Sequence, residues 1–251
     1  PNKKEKWYYN GQYQSSNNDG INILNSVTNL NYSTFKTLQN ADNTSVKQYV
    51  EWHKSINPHH TTTFVVNQAY EKNTPQNTWF TDRSFLPGLI PLQDDSSYTI
   101  NQIIKTRNNS VDPLGQRNMK NNNFNHLYTN IGNNYGTSDF QTAEKQLLTD
   151  GSTNDFATAG FGNDIDYRLN DAYVGLEYKF KIGIWTNKPC IYFHWYDLKT
   201  QQLDANYQLS KTLFQPQFTS ELEFNKSENL VFNYILENDF PEARLLANRF
   251  S

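Results

Sequence analysis

The sequence predicts an all-β fold, an antiparallel meander that forms part of a transmembrane β-barrel, with one short helix in a long loop. Three observations predict it. In segment 173–185 every second residue is apolar, as in a strand with one apolar and one polar face. Further alternating segments follow one another, separated by polar turns. Finally, 36% of residues are hydrophobic and 15% aromatic, a balance typical of porin-like barrels, whose apolar residues lie on the outward side of each strand.

Segment 173–185 is the clearest strand of the sequence. At about 3.3 Å per residue it is roughly 40 Å long, whereas crossing a bilayer takes about 9 to 11 residues. Its two faces, with those of segment 190–198, predict a lipid-facing wall and a lumen-facing surface. The predicted wall consists of Val174, Leu176, Tyr178, Phe180, Ile182, Ile184, Ile191, Phe193 and Trp195. The predicted lumen-facing residues are Glu177, Lys179, Lys181, Tyr192, His194 and Tyr196.

The first half of the chain contains weaker strand patterns. Alternation and β-branched residues predict strands at 6–14, 21–38, 45–56, 61–70, 98–105 and 124–131. Turn-forming or polar residues predict connections at 15–20, 57–60 and 106–123. The prolines of segment 79–92 permit only an irregular or edge segment. Segments 45–56 and 61–70 flank a short turn, so they predict a hairpin.

One segment has helical periodicity. In 138–151 the residues Phe140, Ala143, Glu144, Leu147 and Leu148 recur at helical spacing. Ser138 and Gln141 resemble a capping box, and Gly151 stands where a helix would end. We therefore expect the single short helix here, inside a long loop.

The last ninety or so residues predict a series of hairpins. The predicted strands are 161–169, 173–185, 190–198, 207–224 and 230–236, and the predicted connections are 170–171, 186–189, 199–206 and 225–229. Strands that return at such short distances form an antiparallel meander. Their apolar faces must be covered by lipid around a barrel or by a second sheet in a sandwich. A soluble, glycan-binding β-sandwich and a passive porin therefore stay open as alternatives.

Composition and motifs exclude several function classes. The net charge of −3, without a cluster of Lys and Arg, gives no electrostatic basis for a nucleic-acid partner. Cys190 is the only cysteine, so an internal disulfide is excluded. The motifs of phosphate-binding loops, serine hydrolases and zinc peptidases are absent. His53, His59 and His60 are a weak metal candidate because adjacent residues of a strand point to opposite faces. We expect neither an enzyme nor a cofactor.

The two ends lead us to expect a fragment. The chain begins with Pro1 and has no apolar leader, and its final residues, 249–251, do not close a regular strand. We therefore expect one β-barrel domain over residues 1–251 that belongs to a longer barrel, with a signal peptide and any plug domain outside this sequence.

Several phrases resemble a known family. Residues 125–128 (NHLY) and 131–133 (IGN), 148–152 (LTDGS) and 154–156 (NDF), 170–183 and 214–234 resemble the barrel of TonB-dependent outer-membrane receptors of the Bacteroidetes type. The resemblance is strongest from about residue 125 onward and weak before residue 85. It implies a 22-stranded, plugged barrel in the outer membrane of a Gram-negative bacterium.

The same resemblance implies import of a large nutrient, such as a siderophore or an oligosaccharide. The implied partners are outer-membrane lipid, the TonB complex through the missing plug region, and a surface lipoprotein. By analogy, segment 184–188 is expected to be a periplasmic turn, which places 199–206 outside the cell and 225–229 in the periplasm.

Overall fold

The chain folds into long antiparallel strands that follow one another in a single sheet. The computed structural model describes residues 4–28, 31–84, 88–202, 205–225, 227–238 and 240–246. Its strands are β1 (Glu5–Thr28), β2 (Asn31–Asn57), β3 (His60–Thr81), β4 (Tyr98–Lys120), β5 (His126–Leu147), β6 (Thr153–Asp155), β7 (Asn163–Ile182), β8 (Trp185–Gln202), β9 (Ala205–Glu223) and β10 (Asn229–Ile235).

Sequence order and spatial order coincide. The sheet runs β1-β2-β3-β4-β5-β7-β8-β9-β10, and the short β6 pairs with the upper end of β5. All pairs are antiparallel. Helical structure among the described residues is limited to a 3₁₀ turn at Phe156–Ala159 and α1 at Ala243–Leu246. No helix in these parts of the chain is long and apolar enough to cross a membrane. The predicted all-β, antiparallel meander is therefore confirmed.

The strands are much longer than predicted. β1 and β4 contain 24 and 23 residues. They run through segment 15–20 and through residues 106–120 of segment 106–123, for which turns or loops were predicted, and only 121–123 form a connection. β1 ends at Thr28 and β2 begins at Asn31, both within the predicted strand 21–38; residues 29–30 lie outside the described part. Cross-strand side-chain bonds explain this continuity: Asn17 Nδ2 donates to Asp42 Oδ1 at 2.7 Å. Polar residues typical of turns here form ladders between paired strands.

The helix prediction at 138–151 is wrong over most of its length. Residues up to Leu147 continue β5, which pairs with β4 on one side and with β7 on the other. Two ladders of backbone hydrogen bonds outweigh the helical spacing of a few apolar residues, since helix propensity is a weak preference that tertiary context overrides. The long connection 148–162 follows instead, and the 3₁₀ turn lies within it.

Two predicted turns near the clearest strand are also wrong. Asn170 and Asp171 lie inside β7, which is continuous from Asn163 to Ile182. The turn assigned to 186–189 is formed by Gly183 and Ile184, because β8 begins at Trp185. Gly183 has a φ of 59°, a left-handed conformation that glycine adopts without a steric cost. Ile184 therefore belongs to a turn and not to the strand wall.

The other connections agree better with expectation. The hairpin at 45–70 is confirmed, with Pro58 and His59 between β2 and β3. For segment 79–92 an irregular or edge segment was predicted; the connection 82–97 is irregular, whereas residues 79–81 belong to β3, which is paired on both sides. Residues 85–87 lie outside the described part. The loop 199–206 is shorter than expected, since β8 extends to Gln202 and β9 begins at Ala205. Residues 249–251 also lie outside the described part.

The two faces of the sheet differ in what covers them. Gln93 of the connection 82–97 forms hydrogen bonds with Gln146 of β5, and Phe240, which follows β10, packs on Tyr196 of β8. We call the face that carries these contacts the inner face. Its core contains Phe140, Ile165, Tyr167, Leu198 and Ala243. The other face, the outer face, exposes large apolar side chains. The apolar cluster that buries side chains thus lies on one side of the sheet, and the apolar residues of the other side have no protein cover in the described structure.

Candidate functional site on the inner face

A row of apolar residues crosses the outer face. Directly opposite residues of paired strands lie on the same face, so the register identifies the row strand by strand. Its members are Trp7, Trp52, Phe64, Gly115, Ile131, Val174, Phe193 and Phe214. The side chains make contacts along the row: the rings of Phe193 and Phe214 are 5.2 Å apart, and those of Trp7 and Trp52 are 6.0 Å apart.

The adjacent row on the inner face is polar. It contains Lys6, His53, Thr63, Gln116, Asn130, Gly175, Tyr192 and Gln215. Neighbours are joined by hydrogen bonds, since Gln116 Nε2 donates to Asn130 Oδ1 at 3.0 Å and Asn130 Nδ2 donates to the Tyr192 hydroxyl at 2.9 Å. The two rows are one residue apart on each of the eight strands and lie on opposite faces, so the outer face is apolar and the inner face polar at this level of the sheet.

Tyr192 reaches Asn130 by crossing Gly175. These three residues lie on β8, β5 and β7, with Gly175 on the middle strand. A Cβ atom on Gly175 would lie 2.2 Å from Tyr192 Cε1, so only glycine leaves room for the ring. Tyr173 covers Gly132 in the same way, with the ring atom Cζ 2.4 Å from an added Cβ. These glycines let two tyrosine rings lie flat over the inner face.

A histidine and an aspartate are paired beside these rings. His194 Nδ1 lies 2.7 Å from Asp171 Oδ1, and both side chains are largely buried. Asn134 Nδ2 donates to the other Asp171 oxygen at 3.0 Å. The His194 ring stacks on Tyr173 and on Tyr196, with centroids 5.1 and 5.4 Å away. A ladder of planar rings with a bonded carboxylate therefore lies at the middle of the inner face.

The residues after β10 return to this surface. We call residues 236–246 the C-terminal segment. Its Phe240 ring lies 4.8 Å from the Tyr196 ring, and Ala243 is 2% exposed within the apolar cluster. The segment therefore crosses the inner face just beyond the ring ladder.

Between this segment and the sheet lies a cavity of about 720 Å³, which we call the upper cavity. Amide and hydroxyl groups, aromatic rings and carboxylates line it. The polar lining includes Asn73, Thr106, Asn108, Asn134, Ser138 and Asn238; the rings are Phe140, Tyr167, Tyr196 and Phe240; the charged residues are Glu71, Asp171, Glu242 and Arg244. Amides and ring faces suit a polyhydroxylated or flat ligand. Carboxylates outnumber cations there, which disfavours an anionic ligand.

The structure places the predicted wall and lumen residues on opposite faces. On the outer face, Val174, Leu176, Tyr178, Ile182, Ile191, Phe193 and Trp195 are exposed. Phe180 is half-buried on the same face, whereas Ile184 lies in the turn. The lumen candidates lie on the inner face, where Lys188 pairs with Glu177 at 3.2 Å and Lys181 pairs with Glu223 at 2.5 Å. That one face meets lipid and the other a lumen stays a prediction.

The sequence prediction did not find the upper cavity. Its lining comes from β3, β4, β5, β7, β8 and the C-terminal segment, so no local pattern marks it. Ala243 and Phe240 carried no signal because the covering segment is short and irregular.

The histidine candidates are not brought together as a metal site. His53 Nδ1 bonds the Thr63 hydroxyl at 3.0 Å, and His59 Nδ1 bonds the Lys120 carbonyl at 3.1 Å. Among the described residues, no three His, Cys, Asp or Glu side chains are placed to hold an ion.

Comparisons with known proteins find likeness only in structure. No family model matches the sequence, and no curated protein matches it. A mutant of the monoaromatic hydrocarbon channel TodX is similar with a TM-score of 0.40 and 7% identity, over 94% of this chain and 76% of that one. The ferric citrate transporter FecA has a TM-score of 0.40 and 10% identity, over 91% of this chain and 43% of its own. FpvA of P. aeruginosa has a TM-score of 0.36 and 10% identity, over 89% and 40%. This chain thus spans less than half the length of FecA and FpvA, and similarities of this size do not assign it to a family.

Proposed function

We propose that the chain is part of the wall of an outer-membrane β-barrel in a Gram-negative bacterium, and that the complete protein is a TonB-coupled receptor that imports a large nutrient. The apolar row on the outer face carries the proposal. It is an apolar surface without protein cover in the described structure, bordered by polar rows. A band of this kind faces lipid in transmembrane barrels.

The apolar band occupies a different position along each successive strand, and this shift supports lipid contact. A second line of paired residues lies two residues from the row, on the side nearer Gly183. On β7 and β8 this line consists of the apolar residues Leu176 and Ile191. On β2 to β5 it consists of the polar residues Lys54, Thr62, Arg117 and Thr129. Four residues in the other direction, Gln48 and Gln68 interrupt the apolar surface on β2 and β3. Six residues in that direction, Tyr13, Val46 and Tyr70 are apolar or aromatic on β1 to β3, whereas the line ends in Arg168 and Lys199 on β7 and β8.

The band therefore shifts by about one residue for each strand crossed. With a rise of about 3.3 Å per residue and a strand spacing of about 4.8 Å, this shift corresponds to a strand tilt of about 35°. Transmembrane barrel strands tilt by about 35–45°. On β7 the outward apolar residues run from Ile182 to Ala172, which gives a height of roughly 25 Å at that tilt, close to the apolar band of such barrels.

The two ends of the sheet differ as they do in outer-membrane proteins. At one end the connections are short: Pro58 and His59, 121–125, Gly183 and Ile184, and 224–228. At the other end the connections 82–97 and 148–162 are long, whereas two residues separate β1 from β2 and β8 from β9; long connections thus occur only at this end. Periplasmic turns are short and extracellular loops are long. The end with Gly183 therefore faces the periplasm, and the upper cavity opens toward the outside.

The edges of the sheet support membership of a longer barrel. In the described structure β1 forms one edge, and β10 pairs only with residues 217–223 of β9. Unpaired backbone groups are costly in lipid, which is why transmembrane sheets close. Further strands would pair with these edges in the complete protein.

The upper cavity supports a receptor role. Its amides and rings favour a neutral polyhydroxylated nutrient, such as an oligosaccharide, over an anionic siderophore. The C-terminal segment crosses the inner face, which disfavours an open passive porin. The soluble sandwich is disfavoured because the described strands form one sheet. The TonB complex and a surface lipoprotein are partners by resemblance alone.

Site-specific labelling tests the membrane location. The full-length protein is expressed in a Gram-negative host with Cys190 replaced by Ala, and single cysteines are placed at Leu176 and Phe193 on the outer face and at Tyr192 and the exposed Lys211 on the inner face. We expect the protein in the outer-membrane fraction, with a lipid-soluble maleimide labelling the first two positions and a water-soluble one the last two. Recovery of folded protein from the aqueous fraction would refute the proposal. Nutrient uptake that persists without TonB would refute the energy coupling alone.

A further inference from the structure

A cationic groove lies on the outer face, beyond the apolar band. Lys72 on β3 stands directly opposite Arg107 on β4, and Lys105 lies two residues from Arg107 on the same face. The three side chains line a groove of about 160 Å³. Thr74 and Gln141 add a hydroxyl and an amide to its lining. We call this the cationic groove.

The groove lies at a defined height above the band. Tyr70 is the last aromatic residue of the band on β3, and Lys72 follows it by two residues. On β4, Arg107 lies four residues beyond Val111. At about 3.3 Å per residue and a tilt of about 35°, these offsets place Lys72 roughly 5 Å and Arg107 roughly 11 Å outside the apolar band. Lys105, six residues beyond Val111, lies roughly 16 Å outside it by the same measure. Headgroups add about 5 to 8 Å to each side of the hydrocarbon core, so the groove begins in the headgroup layer at Lys72 and extends beyond it at Arg107 and Lys105.

The charges of the groove favour an anion. Asp139 and Asp166 also line it, and Arg107 Nη1 lies 3.7 Å from Asp139 Oδ2. Neither Lys72 nor Lys105 forms an ion pair with another described residue, and both are exposed. The three cations therefore exceed the two carboxylates, and two of them are free to bind an external group. Ammonium, guanidinium and hydroxyl donors on adjacent strands suit phosphate oxygens.

We propose that the cationic groove binds the phosphate of a lipid headgroup in the outer leaflet. This inference rests on the membrane location proposed above. The headgroup is favoured over a phosphate in solution because the groove continues the lipid-facing band upward on the same strands. Basic residues next to a membrane surface attract anionic headgroups, and the attraction weakens with salt.

Binding of a phosphorylated glycolipid tests the inference. The full-length protein is purified in detergent, freed of lipid and titrated with lipid A, which carries two phosphates, and with lipid A from which the phosphates have been removed. The test variants are K72Q/K105Q and K72Q/K105Q/R107Q. The first removes only cations that have no ion pair. The matched control is K47Q/K179Q/K211Q, which removes three lysines from the inner face.

We expect the triple variant to bind lipid A roughly 100-fold more weakly and the double variant roughly 30-fold more weakly. The control stays within about twofold, and K72R/K105R retains binding because it keeps both charges. Unchanged heat-modifiable mobility shows that each variant is folded.

Three results would overturn the inference: equal affinity of the test variants and the wild type, equal affinity for dephosphorylated lipid A, or displacement of lipid A by millimolar inorganic phosphate, which would indicate a site for a soluble anion. Membrane fractionation distinguishes a failure of this inference from a failure of the proposed function. If the protein is in the outer membrane but gives one of these three results, the membrane location stands and only the lipid-binding site is refuted.

Discussion

The substitution Leu176→Arg tests the lipid-facing band most directly. Leu176 is 48% exposed on the outer face, directly opposite Ile191, and it lies near the middle of the outward apolar run of β7. If this run spans the hydrocarbon layer, an arginine at its centre costs about 2 to 4 kcal/mol of folding free energy. On a surface that faces water the same change stays within about 0.5 kcal/mol. The two settings therefore predict clearly different values.

The measurement is equilibrium unfolding of the full-length protein in lipid vesicles, followed by tryptophan fluorescence in urea or guanidinium. The matched control is Gln208→Arg on β9, which stands opposite Lys199 on the same face and above the band. We expect it to cost about 0 to 1 kcal/mol. Equal costs for Leu176→Arg and Gln208→Arg, or a near-neutral Leu176→Arg, would refute a lipid-facing role for the apolar band.

Three further changes test the inner face and the long connection. Gly175→Val should destabilise the fold by about 1 to 3 kcal/mol by displacing the Tyr192 ring, whereas Gly136→Val, whose added Cβ meets nothing within 4 Å, should not; equal unfolding midpoints would contradict the packing described. Asp171→Asn should cost about 1 to 3 kcal/mol because its bonds with His194 and Asn134 are largely buried. Asp197→Asn, at a side chain that is 35% exposed, should cost less in the same unfolding assay. Asp95 has a pKa below its ordinary value because Thr149 donates two hydrogen bonds to it. The ionised Asp95 carboxylate therefore contributes fully to the stability of the folded state above about pH 4. This contribution is lost as the pH falls through the lower pKa that Asp95 has in the folded state. Hydrogen exchange at the Thr149 amide should accelerate beyond its intrinsic pH dependence in that range, and Asp95→Asn should remove the pH effect.

The sequence predicts strands well where one face is apolar. The alternation from Val174 to Ile182 and from Ile191 to Trp195 identified the faces of β7 and β8, because residues two apart share a face and the outer face is uniformly apolar there. Beyond the band both faces of β1 are polar, so alternation disappears at 15–20 although the strand continues. In segment 106–123 the outer face of β4 within the band carries Val111, Pro113 and Gly115, whose proline and glycine are typical of turns. Both segments were therefore assigned to turns or loops. In each case the partner strand, and not the local sequence, keeps the chain extended.

In segment 138–151 a local sequence pattern predicted the wrong element. Helical spacing of Phe140, Ala143 and Leu147 is a local signal, but Phe140 and Ala143 each pair across to β4, and Phe140 also packs with Ile165 of the apolar cluster on the inner face. Long-range pairing decided the conformation. The predicted turn at 186–189 lies only a few residues from the actual turn at Gly183 and Ile184. The polar residues of 186–189 were also compatible with a hairpin connection.

The sequence by itself determined the all-β class, the antiparallel order and the two faces of β7 and β8, because these depend on the period of two that every strand has. The tertiary structure alone decided the register, which aligns Trp7 with Phe214 across eight strands and reveals the climb of the band. It also decided the upper cavity and the cationic groove. Their residues are tens of positions apart in the chain, and only cross-strand pairing brings them to the same height of the sheet.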